Sequence, residues 1–244
     1  TGHEPIVIHN NEHDKFLSLQ KAKAFSNIVI SPGPGRPDRD EDFGICAQIL
    51  HEASVPIFGV CLGCQGLGWL YGLEVNTAPG GPVHGRLSEV YHDDELFDGI
   101  TQPFNVVRYH SLALCASDQS ALDFPAHLRK IAWTASGIVM GVKHVDLPLW
   151  GVQFHPESIC TEYGAQLVRN FQRLSREWYS ARAHADDLAD MPMGAHDAFE
   201  EDVPHQPARQ APRSEGMEVV FRRVDASIDA EDMYFKLFAD DERS

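Results

Sequence analysis

The segment "PIFGVCLGCQGLGWLYG", residues 56–72, sets a cysteine between two glycines where an apolar run gives way to a Gly-rich, helix-compatible one. A cysteine in such a turn is a candidate nucleophile. A strand that bends sharply into a helix drives its apex residue into a strained backbone. Bulky residues two positions away would clash there, which fits Gly59 and Gly63 on either side of Cys61. The turn holds the side chain clear of the sheet, at a helix N-terminus whose dipole favours a thiolate. It also aims the N–H of Leu62 at an oxyanion formed on an attacked carbon. The competing reading is a buried cysteine acting as a small apolar filler in a tight turn.

A thiol nucleophile needs a base, and the base needs a third group to fix its tautomer. "WGVQFHPES", residues 150–158, supplies both: an apolar strand delivers His155, and Glu157 follows two positions on. Residues i and i+2 of an extended segment point the same way, so the carboxylate can reach the imidazole. Pro156 favours an extended His155 and ends ladder pairing, as at the carboxyl edge of a sheet. Alone, one of thirteen histidines reads as a structural residue. With Cys61 on another strand end, ligand chemistry at the carboxyl ends of the strands is the stronger reading. "SPGPG", residues 31–35, follows the strand-like "NIVI" and makes a rigid turn whose backbone can approach a ligand closely. It offers a second N–H donor for the oxyanion; the alternative is a tight surface loop.

These groups must be carried by alternating strands and helices. "PIVIHN", "NIVI", "VPIFGV" and "FNVVRYHSLAL" read as strands, the last running into a turn, and "RKIAWTASGIVMGVKHVDLPLWGVQFHP" as three strands joined by tight turns. "DEDFGICAQILHEA" has helical spacing with Phe43, Ile45, Cys46, Ile49 and Leu50 near one face. "TEYGAQLVRNFQRLS" offers Ala165, Leu167, Val168, Phe171 and Leu174 for burial. The expected fold is α/β, with a mainly parallel central sheet covered by helices on both faces. It spans residues 1–180. From 181 to 216 the chain is acidic and rich in Ala, Asp, Pro and His without an apolar period, so a disordered linker is expected. Residues 217–244 recover a strand pattern and a helix with Asp229 as N-cap, read as the start of a further domain.

Composition narrows the function classes. The 244 residues carry a formal net charge of -16, against non-specific nucleic-acid binding and docking on an anionic membrane. No run of about 18 apolar residues suggests a membrane span. Five cysteines lack the density of a disulfide scaffold, so a reducing, cytoplasmic setting is expected. Cys61 and Cys64 form a C-x-x-C, a redox pair or half a zinc site by spacing. No second pair matches it, so no metal is expected.

In order along the chain, "SPGPGRP", "GVCLGCQ", "YHSL" and "GVQFHPES" resemble the class I, triad-type glutamine amidotransferase domains. "GGPVHGRLSEVYHDDELFDGI" and "FNVVRYHSLAL" are similar to the chorismate-using branch, the glutaminase components of aminodeoxychorismate and anthranilate synthases. The resemblance covers residues 2–174 and implies a flavodoxin-like fold. It implies a Cys61–His155–Glu157 triad: Cys61 attacks the glutamine side-chain amide, His155 moves the proton and Glu157 orients the ring. It implies glutamine contacts at Gly33, Pro34, Gly35, Gln65, Ser111 and Leu112, an oxyanion hole from Gly33–Gly35 and the Leu62 N–H, and no cofactor in this domain. Relative to the family, the chain lacks a first strand and helix, and position 64 is Cys where His is frequent. The tail "EVVFRRVDASIDAEDMYFKLF" resembles the start of a chorismate-binding synthase domain, the expected partner in the same chain. The implied function is delivery of glutamine-derived ammonia to chorismate, forming 4-amino-4-deoxychorismate for p-aminobenzoate and folate. The alternatives are the anthranilate synthase glutaminase, a cysteine hydrolase of another substrate, and a non-catalytic assembly module.

Overall fold

Apolar runs too short for helices pair into one mixed sheet in the computed structural model, which describes residues 5–116 and 123–183. In chain order come helix α1 (His13–Lys21), strand β1 (Ile28–Ile30), helices α2 (Asp40–Phe43) and α3 (Ile45–His51), strand β2 (Ile57–Val60) and helix α4 (Leu62–Leu70). Strands β3 (Val75–Thr77) and β4 (Val83–His92) follow, then a 3-10 turn at Glu95–Phe97, and strands β5 (Phe104–His110) and β6 (Leu112–Leu114). The last elements are β7 (Leu128–Thr134), β8 (Val139–His144), β9 (Leu149–Val152) and helix α5 (Gly164–Ala183). Most of the expected linker and all of residues 217–244 lie outside the described residues; positions 181–183 continue α5.

The seven-stranded sheet has the order β1-β2-β9-β8-β7-β4-β5, and β3 pairs with β6 in a separate two-stranded sheet. The α/β fold class holds, flavodoxin-like in its sheet and helix layers. The sheet is mixed, however: β1, β2 and β9 are parallel, while β9-β8, β8-β7, β7-β4 and β4-β5 are antiparallel. Four-residue turns join β7 to β8 and β8 to β9, too short for the crossover that parallel neighbours need. "PIVIHN" forms no strand. Ile6 and Val7 are 50% and 63% exposed, and the Val7 carbonyl accepts from Lys15 Nζ at 3.0 Å instead of from a ladder.

Each face of the sheet buries its own apolar cluster. On one side Phe58, Trp150 and Val152 pack with Leu167, Phe171 and Leu174 of α5, and the Phe58 and Phe171 rings stack at 5.3 Å. Burying each such side chain stabilises by about 1.5–3 kcal/mol. On the other side Ile57, Leu149, Leu62, Cys64 and Leu67 pack with Phe16 of α1 and Ile45, Ile49 and Leu50 of α3. The helix expected through residue 44 is broken there. Gly44 takes φ 46°, and a Cβ on it would lie 2.4 Å from the Asn10 carbonyl, which instead accepts the Ile45 N–H at 2.9 Å.

On α5 the buried stripe is Leu167, Asn170, Phe171, Leu174 and Ser175, the i, i+3, i+4, i+7, i+8 set. Ala165 and Val168, expected inside, fall off that stripe and are exposed. Asn170 holds a core position because its Nδ2 donates to the Leu96 and Asp98 carbonyls, each at 2.9 Å, stapling the 3-10 turn to the helix. Asn170→Ala leaves both carbonyls without that donor and should destabilise the fold by about 1–3 kcal/mol, read from urea unfolding. A midpoint unchanged from the parent protein would show that the staple contributes nothing.

Candidate active site

The parallel register sets two strand ends side by side. Gly59 and Val60 of β2 face Gly151 and Val152 of β9, and the Cys61 N–H donates to the Val152 carbonyl at 2.8 Å. Cys61 therefore emerges beside Gln153 at the carboxyl edge of the sheet. Its backbone is in the left-handed half of dihedral space, φ 51° and ψ -98°, which an L-residue with a Cβ occupies only under strain. The flanking glycines explain how the turn is held. A Cβ on Gly59 would lie 2.5 Å from the Gly63 carbonyl carbon, and one on Gly63 would lie 2.6 Å from the Ile30 carbonyl oxygen. Only without side chains there can α4 start directly on top of β1 and β2. Leu62 opens that helix, so its N–H belongs to the first turn, where the helix itself provides no acceptor.

Beyond β9 the chain bends at Gln153 and Phe154 and turns at Pro156 and Glu157 instead of running on extended, the Ser158 N–H donating to the His155 carbonyl at 3.2 Å. The His155 N–H donates to the Val107 carbonyl at 3.3 Å, and the Thr161 hydroxyl donates to the His155 carbonyl at 2.7 Å. The His155 ring lies edge-on to Tyr109, centroids 5.6 Å apart. Its Nδ1 meets Glu157 Oε1 at 2.6 Å, while Nε2 is buried with no hydrogen-bond partner of ordinary geometry. Burial alone would strip the proton from this imidazole. The neighbouring Cys61 and Glu157 outweigh it and push its pKa up to about 10. Catalytic contacts of this kind are frequently long before substrate binds and close in the complex.

The Cys61 sulfur is not enclosed in hydrocarbon. Besides the imidazole, it faces Gln153 Nε2 at 3.5 Å and the Tyr109 carbonyl at 3.9 Å. Cys64, its C-x-x-C partner in sequence, belongs to the opposite core: a Cβ on Gly151 would lie 2.9 Å from the Cys64 Cα. Burial pushes the Cys64 thiol far up, and both cysteines are free. Among the described residues no cluster of three or more His, Cys, Asp or Glu could hold a metal ion, and no helix is long and apolar enough to cross a membrane.

The remaining residues singled out from the sequence fall around the same edge. The Gly33–Gly35 loop follows β1 and is braced by Asp42, which accepts the Arg36 N–H at 2.9 Å; Gly35, at φ 90°, leaves room for that carboxylate. Pro34 and Gly35 are exposed and Gly33 is half-buried. Gln65 is buried, with its Nε2 donating to the Leu112 carbonyl at 2.9 Å and to Gln153 Oε1 at 3.2 Å. Ser111 is exposed, and its carbonyl accepts the Ala78 N–H at 2.9 Å. Sequence reasoning missed Gln153, Arg108 and His110. Arg108 Nε donates to His110 Nε2 at 2.9 Å, which leaves the ring proton on Nδ1, 2.9 Å from the Leu112 carbonyl. Burial, then the Arg108 charge, bring the His110 pKa down to about 4, so this ring is neutral. A signal for Gln153 was present: it is the one polar residue in the run between Trp150 and His155.

Residues 1–174 match the family model described as "Glutamine amidotransferase class-I". An aminodeoxychorismate synthase of Streptomyces griseus is 48% identical over 175 residues, 71% of this chain and 23% of its own length. The anthranilate synthase component 2 of Methanothermobacter thermautotrophicus is 42% identical over 173 residues, 70% of this chain and 84% of its own. A solved structure from Thermoplasma acidophilum, provisionally described as one chain of a GMP synthase, superimposes with a TM-score of 0.55 at 22% identity. That match covers 67% of this chain and 79% of the other, and at such identity it speaks for the fold alone. The chain spans about a quarter of the length of the Streptomyces relatives, 23% in each case.

The His155 pKa sets a sign for experiment. A histidine whose folded pKa exceeds its ordinary 6.5 stabilises the fold fully below 6.5, and the contribution fades as pH rises towards about 10. Nitrogen-15 NMR of labelled protein should find the His155 ring protonated at pH 8, and Glu157→Gln should move its titration midpoint down. A midpoint that the substitution leaves in place would separate the carboxylate from the ring's charge.

Proposed function

This chain belongs to the class-I glutamine amidotransferase family, and we propose that it is the glutaminase part of an aminodeoxychorismate synthase, working through Cys61, His155 and Glu157. The observation that carries this reading is the strained Cys61 at a strand-to-helix turn, facing an imidazole whose other nitrogen is held by Glu157 at 2.6 Å. The Cys61 sulfur attacks the side-chain amide carbon of glutamine, and the carbonyl oxygen takes up the negative charge. The Leu62 N–H and the Gly33–Gly35 backbone are the donors for that oxyanion, and Gln65, Ser111 and Leu112 line the glutamine subsite with Pro34. Collapse of the tetrahedral adduct breaks the C–N bond as His155 protonates the leaving nitrogen. This yields ammonia and a γ-glutamyl thioester on Cys61. Water, deprotonated by His155, then cleaves the C–S bond to give glutamate. Each step uses only protein groups and water, so no cofactor is proposed for this domain.

The proposed acceptor is chorismate, bound by a synthase domain that the sequence beyond residue 216 resembles. The product would be 4-amino-4-deoxychorismate. Two Streptomyces relatives, 48% and 44% identical, bear the aminodeoxychorismate synthase name and support this choice. The anthranilate synthase reading has its own support, since the chain covers 84% of the Methanothermobacter component at 42% identity. The two differ in where the amine enters the ring. Identifying the aromatic product made by the complete protein from glutamine and chorismate decides between them.

Cys61→Ala should abolish release of ammonia from amide-labelled glutamine, and substantial retained hydrolysis would sink the nucleophile assignment. Glu157→Gln should lower kcat by up to about 10⁴ while largely sparing glutamine affinity, the effect expected when a triad loses its orienting carboxylate. Equal turnover in the two proteins would mean that Glu157 orients nothing that matters to the chemistry.

A further inference from the structure

We propose that Gln153 is a further catalytic residue of this site, its side-chain amide donating an N–H to the Cys61 sulfur, with Gln65 as the positioning residue that turns the amide to do so. The inference rests on Cys61 being the nucleophile. Its ground is a chain of hydrogen bonds whose direction is dictated from one end. The Leu112 backbone carbonyl is an acceptor only, so the end of Gln65 that meets it at 2.9 Å must be Nε2. The same Nε2 meets the Gln153 amide at 3.2 Å, and two facing amino groups would repel; Gln153 therefore presents Oε1 to Gln65. Its Nε2 is left facing Cys61 Sγ at 3.5 Å.

Burial makes that orientation permanent. Gln153 is 1% and Gln65 3% exposed, so neither amide can exchange its partners for water. Gln153 is anchored at the backbone too, its N–H donating to the Met140 carbonyl at 2.9 Å. A buried amide N–H with a sulfur as its acceptor gains most when that sulfur is charged. The sulfur's other neutral neighbour, the Tyr109 carbonyl at 3.9 Å, is an acceptor and favours the neutral thiol. The donor is the nearer of the two.

The ionisable groups around the sulfur come from three elements: His155 and Glu157 beyond β9, His110 with Arg108 on β5, and Cys64 on α4. His110 is neutral and Cys64 is held protonated, so neither charges the site near neutral pH. Arg108 and the protonated His155 supply the positive charges, and Gln153 supplies a donor that does not titrate. The sulfur is a thiolate before it attacks and again when water cleaves the C–S bond, and at both moments the amide N–H stands beside it.

The test is the rate of Cys61 carboxamidomethylation by iodoacetamide as a function of pH. It is read by fragment-ion mass spectrometry that localises the label to Cys61, so that Cys46, Cys64, Cys115 and Cys160 do not contribute. In Gln153→Met, which keeps length and loses the donor, alkylation on the acid side should fall about tenfold or more, the scale of a lost hydrogen bond to a charged group. The rate on the alkaline plateau should be unchanged, so the midpoint moves up by about one pH unit. Gln153→Glu keeps the hydrogen bond from Gln65 but sets an oxygen against the sulfur, and should move the midpoint further. Gln65→Met should shift it in the same direction by less. Glutamine kcat should fall in each variant, with KM little changed in the two Gln153 variants. An unshifted midpoint in Gln153→Met, or a loss equal at every pH, overturns the proposal by reducing Gln153 to packing. Should Gln153→Met not fold, the Gln153→Leu profile decides, on the same criterion. The alkylation profile does not depend on glutamine turnover, so its outcome stands apart from that of Cys61→Ala, which tests the nucleophile.

Discussion

The strained backbone of Cys61 is the constraint on which the site depends. A residue at φ 51° and ψ -98° stays there only if its surroundings forbid relaxation. Three contacts supply that restraint. The Cys61 N–H is held by the Val152 carbonyl, the Gln65 N–H is held by the Cys61 carbonyl, and the helix start is pressed onto β1 and β2 through Gly59 and Gly63. Relaxing the turn would break the first hydrogen bond of α4 or the link to β9. Each is worth about 0.5–1.5 kcal/mol, and the apolar contacts of Leu62 and Leu67 beneath the helix would be lost with it. The strain, of order 1–3 kcal/mol, is thus outweighed by packing that has no part in chemistry.

The electrostatics follow the same division between fixed frame and reacting atoms. Desolvation is the largest influence on His155 and acts against its charge, yet the ring keeps a raised pKa because both of its nitrogens face groups that favour the proton. His110, a short way off on β5, has the opposite fate. It is buried, with an Arg108 N–H on one nitrogen and a carbonyl on the other, and nothing offsets the cost of a charge. Two histidines at one sheet edge are set for different tasks by their partners. One can move a proton; the other is a rigid neutral link between Arg108 and the Leu112 carbonyl.

Much of this was legible in the sequence because it is local. The glycine spacing around Cys61 and the nearness of Glu157 to His155 are short-range patterns, and the structure has the strained turn and the pair, the latter closed by a turn at 155–158 instead of an extended run. The apolar runs of β7, β8 and β9 and the stripe of α5 were readable for the same reason. What escaped notice depended on contacts far apart in the chain. The break at Gly44 is made by Asn10, thirty-four positions earlier, so helical spacing across it looked continuous. "PIVIHN" has the composition of a strand, but composition does not provide an edge to pair with. The mixed sheet arises because tight turns after β7 and β8 impose antiparallel neighbours, while apolarity alone suggested parallel strands. Gln153 was hidden differently: a glutamine in an apolar strand has no chemistry until a second glutamine and a sulfur are found beside it.

The Leu112 carbonyl explains why a two-stranded sheet of such short elements belongs to this fold at all. Both of its lone pairs are taken, one by Gln65 Nε2 and one by His110 Nδ1, each at 2.9 Å. One backbone atom therefore joins α4, which carries the strained turn, to β5, whose Tyr109 lies against the His155 ring. The pairing of β6 with β3, Thr77 opposite Leu112, prevents that carbonyl from swinging away. A small displacement of the 111–114 segment would reach the sulfur and the imidazole together, through Gln65 on one side and through His110 and the adjacent Tyr109 on the other. The segment expected to touch glutamine is thus mechanically tied to both Cys61 and His155, through hydrogen bonds on the Gln65 side and through the Tyr109 ring contact on the other.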